Sequence, residues 1–357
     1  MQIQRLRLRD FRRFREQELQ PEPGFNLIVG DNGSGKTSVL EAMHLMAHGR
    51  SFRGRVRDGL IRQDAAALEV YVEWQQPAGS HRAGLRHAGS LWEARLDGAN
   101  VSHLGELCAA LAVVSFEPGS HILIHGSSEA RRRYLDWGLF HVEPDFLPQW
   151  RRYARALKQR NALLRSQRSD SQLEAWEHEL AQSGEQLSGY RTAYVAQLQP
   201  HMDQVVASLF PSAGPVMLGL QPGWKWQDLA LSDALLLSRE RDQTQGHTSI
   251  GPHRADLRLE FSNFSGRESL SRGQAKLAAL SLLLAQAAHL AEYDGAWPVL
   301  QLDDLASELD RHHQQRVLES LHGCSAQVFV TGTEPPADLA ALGIEVSMFH
   351  VEHGVIG

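Results

Sequence analysis

Cysteine is scarce in this 357-residue sequence, which contains two, Cys108 and Cys324. They lie far apart and neither belongs to a C-x-x-C pair, so the sequence predicts neither a disulfide framework nor a zinc ribbon. Lysine is almost as rare, with four residues, and the basic surface is therefore almost entirely guanidinium. Arginine suits bidentate phosphate contacts, although a compositional bias would produce the same excess.

Long hydrophobic runs are absent as well. The longest nearly apolar stretch, 277–291, is interrupted by Ser281, Gln286 and His289. It is shorter than the ~20 residues that a membrane span needs. The N-terminal region is rich in arginine and lacks the continuous apolar segment of an export signal. We therefore predict no membrane association and expect the protein in the cytoplasm.

The remaining composition is that of a folded protein, with 42% hydrophobic and 22% charged residues. At about 150 residues per domain, the length predicts two domains with a sizeable core. The net charge of -6 does not indicate nucleic-acid binding, but local charge decides such binding more than the sum does.

Hydrophobic periodicity divides the chain into three parts. In 1–124, short apolar runs and alternation predict strands, including one over 25–29 that leads into a helix over 36–48. In 125–245, apolar residues recur at three- and four-residue steps on both sides of a polar break, which predicts a short antiparallel helical arm. A plain helical spacer is the alternative. In 246–357, strands alternate with a long helix, so the outer parts predict two lobes of one α/β domain that the arm interrupts.

The most specific motif lies between the strand and the helix of the first part. It satisfies G-x-x-x-x-G-K-[ST] with Gly30, Asp31, Asn32, Gly33, Ser34, Gly35, Lys36 and Thr37, and Ser38 follows. Such a loop directs backbone N–H groups toward the β- and γ-phosphates of a nucleotide at a helix N-terminus. Lys36 adds a positive charge and Thr37 a hydroxyl ligand for Mg²⁺. We predict that the loop binds ATP with Mg²⁺; a glycine-rich helix cap with an incidental lysine is the alternative.

A second motif follows downstream, where an apolar run over 298–302 ends in two carboxylates, Asp303 and Asp304. A buried parallel strand delivers acidic groups at its C-terminal edge in this way. We predict that Asp303 holds the Mg²⁺ ion and that Asp304 is the catalytic residue, which orients the attacking water or accepts its proton. An N-cap aspartate after any buried strand would look similar, but the phosphate loop favours the catalytic interpretation.

A third element begins the long helix of the last part, with Ser271, Gly273 and Gln274 near its start. A serine and exposed N–H groups at a helix start form a second anion-binding site. One chain has no evident use for two γ-phosphate sites. We therefore predict that Ser271 faces the phosphate loop of a second copy, so that two ATP molecules are sandwiched in a two-fold symmetric homodimer. An ordinary helix cap is the alternative.

With these residues in place, the chain resembles the RecF family, the bacterial recombination mediators of the ABC/SMC-like ATPase superfamily. The resemblance extends along almost the whole chain and includes narrower blocks at 131–136, 158–164 and 251–256. It implies a P-loop ABC/SMC-like ATPase head with a short antiparallel helical arm inserted. It also implies slow DNA-stimulated ATP hydrolysis and partners of the RecO and RecR type. The DNA that it implies as a partner is gapped, single-stranded or double-stranded and bound without sequence specificity, during repair and replication restart. Glu117 and Pro118 reverse the proline–acid order that is usual in the family.

No helix-turn-helix, zinc finger or aromatic RNA-binding motif is present, so we expect contacts with DNA phosphates and no base-specific recognition. The candidate contacts are arginines in three regions, namely Arg12, Arg13, Arg15, Arg50, Arg53, Arg55, Arg57, Arg131, Arg132, Arg133, Arg151, Arg152, Arg155, Arg160 and Arg165. Arg151, Arg155 and Lys158 fall at i, i+4 and i+7, which predicts a basic stripe on one helix. A solvated charged face without a ligand is the alternative.

Two other functional classes share part of this pattern. The nucleotide-binding subunit of an ABC membrane transporter has the same loop, serine-headed helix and acid pair. The long separation between Lys36 and Ser271 leaves room for the helical arm and favours the RecF-like interpretation. A scaffold that binds ATP without hydrolysing it is the third possibility, and phosphate release with and without gapped DNA distinguishes it.

Overall fold

The structure is a computed structural model, and it describes residues 1–54, 59–166, 170–336, 339 and 342–357. These residues form two compact units. The first consists of Met1–His121, Gln204–Ser212 and Leu270–Gly357, and the second of Ile122–Asp203 and Ala213–Ser269. The mixed α/β architecture with an inserted helical part confirms the predicted fold class.

The strands are β1 (Gln2–Phe11), β2 (Phe14–Leu19), β3 (Phe25–Val29), β4 (Leu68–Gln76), β5 (Gly79–Ala88), β6 (Leu91–Leu96), β7 (Ala99–Val101), β8 (Val113–Phe116), β9 (Val216–Gln221), β10 (Asp256–Phe261), β11 (Val299–Leu302), β12 (Val328–Gly332), β13 (Val346–Glu352) and β14 (Val355–Ile356). The helices are α1 (Lys36–His48), α2 (Leu104–Ala110), α3 (Ile122–His125), α4 (Ser128–Val142), α5 (Phe146–Ser166), α6 (Asp170–Leu209), α7 (Leu231–Gln245), α8 (Arg272–Asp294), α9 (Leu305–Glu308) and α10 (Arg311–His322).

The first unit contains two six-stranded sheets. One is antiparallel, in the order β2-β1-β4-β5-β6-β7, and the other has the order β14-β13-β3-β12-β11-β8. In the second sheet all neighbours from β13 to β8 run parallel. Strands β3, β11 and β12 are buried at every residue, as expected for parallel strands that are covered on both faces. The carboxyl ends of β3, β12, β11 and β8 therefore meet at one edge, where α/β proteins bind ligands.

Helix α1 packs in the core of the first unit against residues of both sheets. All of its residues except Thr37 and His48 are buried. A helix that is covered on all sides is held by packing rather than by amphipathicity. Its N-terminus is therefore fixed at the carboxyl edge of the parallel sheet.

Helix α8 contains the apolar run 277–291 and is buried along most of it. The helix is thus a core element of the first unit. Within the described ranges, no helix combines the length and the apolarity that a bilayer span requires.

Helix α5 and the part of α6 up to Asp203 belong to the second unit and flank the predicted polar break, since α5 ends at Ser166 and α6 begins at Asp170. They are antiparallel, because Arg152 pairs with Glu179 while Arg160 pairs with Glu177. A two-stranded antiparallel sheet, β10-β9, completes the unit. Gln199 of α6 covers one edge of β9: its amide nitrogen donates to Val216 O at 2.9 Å, and Leu218 N donates to its amide oxygen at 2.7 Å.

The division of the chain differs from the predicted parts 125–245 and 246–357. The second unit continues to Ser269 because β10, predicted as a strand of the C-terminal lobe, pairs with β9 along its whole length. Residues Gln204–Ser212 group with the first unit. The first boundary, predicted after residue 124, lies after His121.

Several arginines predicted to contact DNA are instead buried in ion pairs of the second unit. Arg131 is 1% exposed and holds Asp256 through two hydrogen bonds, and Arg160 is fully buried. Buried guanidinium groups need such partners because an unpaired buried charge is very costly. Arg131 and Arg160 are therefore structural residues. Other candidates also have partners within this unit, as shown by Arg132 with Ala255 O, Arg133 with Glu129 and Arg152 with Glu179.

We expect Asp242→Ala to lower the free energy of unfolding by about 3 kcal/mol, since it removes one of the two buried carboxylates that pair with Arg160, the other being Glu177. In the native unit, Asp242 accepts hydrogen bonds from Arg160 at 2.8 Å and from Ser249 N at 3.1 Å. Urea denaturation measures the change. The matched control, Glu129→Ala, breaks an exposed pair with Arg133 and should cost about 0.5 kcal/mol or less. Equal losses in the two variants would contradict a structural role for Arg160.

Candidate nucleotide-binding site

The phosphate loop connects β3 to α1 at the carboxyl edge of the parallel sheet. Gly30 adopts φ 153°, and a Cβ atom at this position would overlap the carbonyl oxygen of Val351. Inside the loop, Ser34 N donates to Asp31 O at 3.1 Å, and Ser38 N donates to Gly35 O at 2.9 Å. The loop therefore wraps around the start of α1, as the predicted motif requires.

Lys36 begins the helix and is largely buried. Its Nζ donates to Gly30 O at 2.6 Å and to Asp31 O at 2.8 Å. Burial lowers the pKa of Lys36, while the nearby carboxylates of Asp304, Asp303 and Asp31 oppose that shift. The ammonium group is thus held inside the loop by neutral carbonyls, which phosphate oxygens can replace.

Asp303 follows β11 and is 3% exposed. Its Oδ1 accepts hydrogen bonds from Thr37 Oγ1 at 2.9 Å and from Thr331 Oγ1 at 2.7 Å. Burial raises the pKa of Asp303, and the two hydroxyl hydrogen bonds limit that rise. The contact between Asp303 and Thr37 brings together the two predicted Mg²⁺ ligands, which lie far apart in the chain.

Thr331 was not identified from the sequence. It lies near the end of β12, the strand between those that carry the loop and the acid pair, and its hydroxyl also accepts a hydrogen bond from Asp304 N at 2.9 Å. Asp304 adopts the left-handed conformation, with φ 51° and ψ 44°. Thr331 therefore orients both members of the acid pair. The signal that could have identified Thr331 is a polar residue at the end of the apolar run 328–330.

The residues fit a magnesium ion. Thr37 and Asp303 offer a hydroxyl and a carboxylate oxygen in direct contact with each other, and oxygen ligands of this kind suit Mg²⁺. The ion usually keeps waters and substrate phosphates as its other ligands, so two protein groups are sufficient.

A cavity of about 360 Å³ adjoins the loop. Of the predicted site residues, its lining includes Asn32, Gly33, Gly35, Lys36, Thr37, Ser38 and Asp304. Gly30 and Asp31 act through the carbonyls that hold Lys36. The Ser34 hydroxyl is buried and has no hydrogen-bond partner among the described residues, which fits a loop whose polar groups are completed by a ligand.

Three arginines that the sequence assigned to DNA, Arg12, Arg13 and Arg53, line the same cavity. Arg12 is fixed by the fully buried Glu41 of α1. Its Nε donates to Glu41 Oε2 at 2.9 Å, and its Nη2 donates to Glu41 Oε1 at 2.6 Å. Ser51 also donates to Glu41. These arginines are therefore candidates for nucleotide binding rather than for DNA binding. Arg55 and Arg57 lie outside the described residues.

Ser271 caps helix α8 in a reciprocal arrangement with Gln274. Gln274 N donates to Ser271 Oγ at 3.3 Å, and Ser271 N donates to Gln274 Oε1 at 2.8 Å. Ser271 and Gly273 are exposed, and neither they nor Gln274 belong to the described lining of the loop cavity. Nothing described lies within 4 Å of a Cβ atom placed on Gly273. The structure thus does not bring this helix start to the phosphate loop of the same chain.

Glu117 follows β8 at the same sheet edge. Its side chain accepts a hydrogen bond from Gly119 N, and its backbone N–H donates to Ser120 Oγ at 2.9 Å. Burial raises the pKa of Glu117 to about 7, and the negative charges of Asp303 and Glu308 add to the rise. The reversed proline–acid order therefore places a carboxyl group beside the acid pair.

We expect the stability difference between Glu117→Gln and the parent protein to depend on pH. The folded state raises the pKa of this acid above its ordinary value of 4.5, so ionisation destabilises the folded state as pH rises toward 7. The variant lacks this penalty and should gain about 1–2 kcal/mol relative to the parent between about pH 5 and pH 8. Thermal denaturation without nucleotide measures the difference. A constant difference, or the same trend in the exposed control Glu93→Gln, would contradict the assignment.

The family model of the RecF/RecN/SMC N-terminal domain matches residues 2–356. The whole chain is 60% identical to the DNA replication and repair protein RecF of Stenotrophomonas maltophilia (strain R551-3) and covers 99% of that protein. RecF of Shewanella baltica (strain OS223) is 38% identical, with 99% of this chain and 98% of that protein covered.

Solved structures are similar as well. The recombination mediator protein RecF with ATP, from the RecFOR pathway, has a TM-score of 0.87 at 26% identity, with 100% of this chain and 97% of that chain covered. An Smc head bound to the C-winged helix domain of ScpA has a TM-score of 0.58 at 15% identity, with 100% and 96% covered, and shows the fold alone.

Proposed function

Because the chain belongs to the RecF family of SMC-like ATPases, we propose that it is an ATP-dependent DNA-binding recombination mediator in the repair of gapped DNA and in replication restart. The observation that carries the proposal is the joining of the phosphate loop to the acid pair through Thr37 and Asp303. The structure of a relative with ATP supports ATP as the ligand. The inserted helical unit and the full-length similarity to RecF proteins give no support to a transporter subunit.

The site suggests a division of roles during ATP hydrolysis. The loop and Lys36 bind the phosphates, and Thr37 with Asp303 holds the metal ion. When bound, Mg²⁺ neutralises charge on the β- and γ-phosphate oxygens. Asp304, fixed by its backbone hydrogen bond to Thr331, orients the attacking water or accepts its proton. We expect hydrolysis to be slow and to be stimulated by DNA.

The proposed active form is a homodimer. Ser271 and Gly273 begin a helix whose N–H groups can receive a γ-phosphate, and both residues are exposed. Since they do not line the loop cavity of their own chain, a second copy is the natural source of the phosphate. ATP then joins two chains, and its hydrolysis releases them.

We further expect RecO- and RecR-type partners and a cytoplasmic location.

We expect Ser271→Arg to bind ATP as a monomer and to form no ATP-driven dimer, because the larger charged side chain fills the space of the γ-phosphate. Asp304→Asn should dimerise with ATP and remain dimeric, since hydrolysis is slowed. Analytical ultracentrifugation with Mg·ATP measures both effects. Lys36→Ala, which removes a charge-assisted phosphate interaction, is the control without ATP binding. Ser269→Arg adds the same group two residues earlier and should dimerise normally. Dimers of Ser271→Arg at parent level would refute the sandwich.

Helix α5 provides the surface that we propose for duplex DNA. Arg151, Arg155, Lys158 and Arg165 are exposed on one side of the helix, and the buried residues Tyr153, Ala156, Arg160 and Leu164 lie on the opposite side. Arg155 is held over the ring of Trp176, 5.7 Å from its centroid. We refer to the four exposed cations as the α5 stripe. Its spacing suits contacts with successive phosphates and no sequence preference.

A triple variant, Arg151→Gln/Arg155→Gln/Lys158→Gln, should bind duplex DNA more weakly and with less dependence on salt. The slope of log K against log salt should fall by about 0.9 for each phosphate that the variant no longer neutralises. Fluorescence anisotropy at several salt concentrations measures the slope. The control triple Arg7→Gln/Arg86→Gln/Arg95→Gln removes the same charge from the antiparallel sheet. Equal decreases in affinity for both triples would show a general charge effect and would contradict the α5 stripe.

A further inference from the structure

The second unit contains a concave surface that the proposed roles do not use. It has a volume of about 750 Å³, and its lining includes residues of two turns, within 223–225 and 250–254, and of helix α7. We call it the α7 groove and define it by Trp224, Lys225, Leu237, Arg241 and Arg254.

The α7 groove is positively charged, although the chain as a whole carries a net charge of -6. Among the described residues, Lys225, Arg241 and Arg254 form no ion pair: Arg241 donates to Ser249 Oγ at 2.5 Å, and Arg254 to Thr248 O at 3.4 Å. This distinguishes them from the buried arginines of the same unit, whose charges are neutralised.

The acidic residue in the lining is already paired. Asp256 is held by Arg131 at 2.6 Å and by Arg267 at 3.5 Å, so its charge is compensated by residues other than the three cations. The charge that the groove offers to a ligand is therefore positive.

The two turns that carry Lys225 and Arg254 are locked together. Gly251 N donates to Gly223 O at 3.1 Å, and a Cβ atom on Gly223 would overlap Gly251 O. Arg191 donates to Pro252 O at 2.8 Å, and Arg132 donates to Ala255 O at 2.7 Å. The cations are thus presented by rigid backbone, which lowers the entropy cost of binding.

Apolar groups complete the surface. Trp224 contributes an indole whose N–H is bonded to Leu229 O at 3.2 Å, and Leu237 on α7 is 74% exposed. A ligand that matches both features carries repeated negative charges and flat apolar groups. Single-stranded nucleic acid has this chemistry, since its bases stack on aromatic rings while its phosphates contact cations.

Helix α7, which carries Leu237 and Arg241 of the groove, also contacts helix α5. Gly246, which ends α7, lies beside Arg165 of the α5 stripe, and Arg160 of α5 pairs with Asp242 of α7. The helix that lines the groove is therefore packed against the helix that we assign to duplex DNA.

We propose that the α7 groove binds a segment of single-stranded DNA, with phosphates on Lys225, Arg241 and Arg254 and a base against Trp224 and Leu237. The inference rests on the proposed function, because it assumes a DNA-binding protein. It adds a second surface, with a different DNA form as its ligand, to the α5 stripe.

Helix α7 offers a matched pair of variants for the test. Leu237→Glu places a negative charge in the groove, whereas Leu236→Glu places the same charge one residue earlier on an exposed side chain, 58% accessible, outside the lining. Both positions are exposed, so both variants should fold. Affinities for a fluorescent oligothymidylate and for a duplex of equal length are measured by anisotropy with Mg·ATP present.

Leu237→Glu should bind the oligothymidylate about tenfold more weakly, because the added carboxylate repels the phosphates and keeps a base from stacking on Trp224, while Leu236→Glu stays near the parent. Both variants should retain duplex affinity. A second variant, Lys225→Gln, should lower the salt slope for the single strand by about 0.7. Equal single-strand affinities of the two leucine variants, or unlabelled polyglutamate that displaces the strand as well as oligothymidylate does, would overturn the inference. A parent protein that binds neither DNA form refutes the proposed function itself.

Discussion

The site depends on one buried carboxylate. Asp303 lies at the edge where four parallel strands end, and it stays in place because Thr37 and Thr331 donate hydrogen bonds to one of its oxygens. A buried acid without such donors would be costly or would remain protonated. The two hydroxyls come from the helix after the phosphate loop and from the neighbouring strand. Asp303 Oδ1 thus connects the helix after the phosphate loop to strand β12, and Thr331 of that strand also holds the backbone N–H of Asp304.

The sequence predicted the elements that local pattern determines. The bounds of β3 and α1 agree with the predicted 25–29 and 36–48, because a short apolar run, a glycine-rich loop and a buried helix leave few alternatives. Asp303 and Thr37 were predicted as joint ligands, and they are in contact. Thr331 was missed because its importance depends on the order of strands in the sheet, which a single sequence does not contain.

Charged residues were the least predictable. A basic run has the same appearance whether it faces solvent or is neutralised by acids far along the chain. Arg160 pairs with Asp242, and Arg131 pairs with Asp256, because the packing of the helices and strands of the second unit brings these residues together. The stripe of Arg151, Arg155 and Lys158 was predictable, because helical spacing alone places these residues on one side. The predicted boundary after residue 245 differs from the observed one for a similar reason, since the pairing of β9 with β10 is a long-range contact.

The amide of Gln199 has a consequence for how copies of this protein can associate. Side-chain groups from α6 occupy a carbonyl and an N–H on the outer edge of β9, positions that a foreign strand needs for backbone pairing. A small solvent-facing sheet is otherwise a template for uncontrolled growth of intermolecular β-structure. By occupying this edge with its own side chain, the molecule disfavours filament-like self-association through β9.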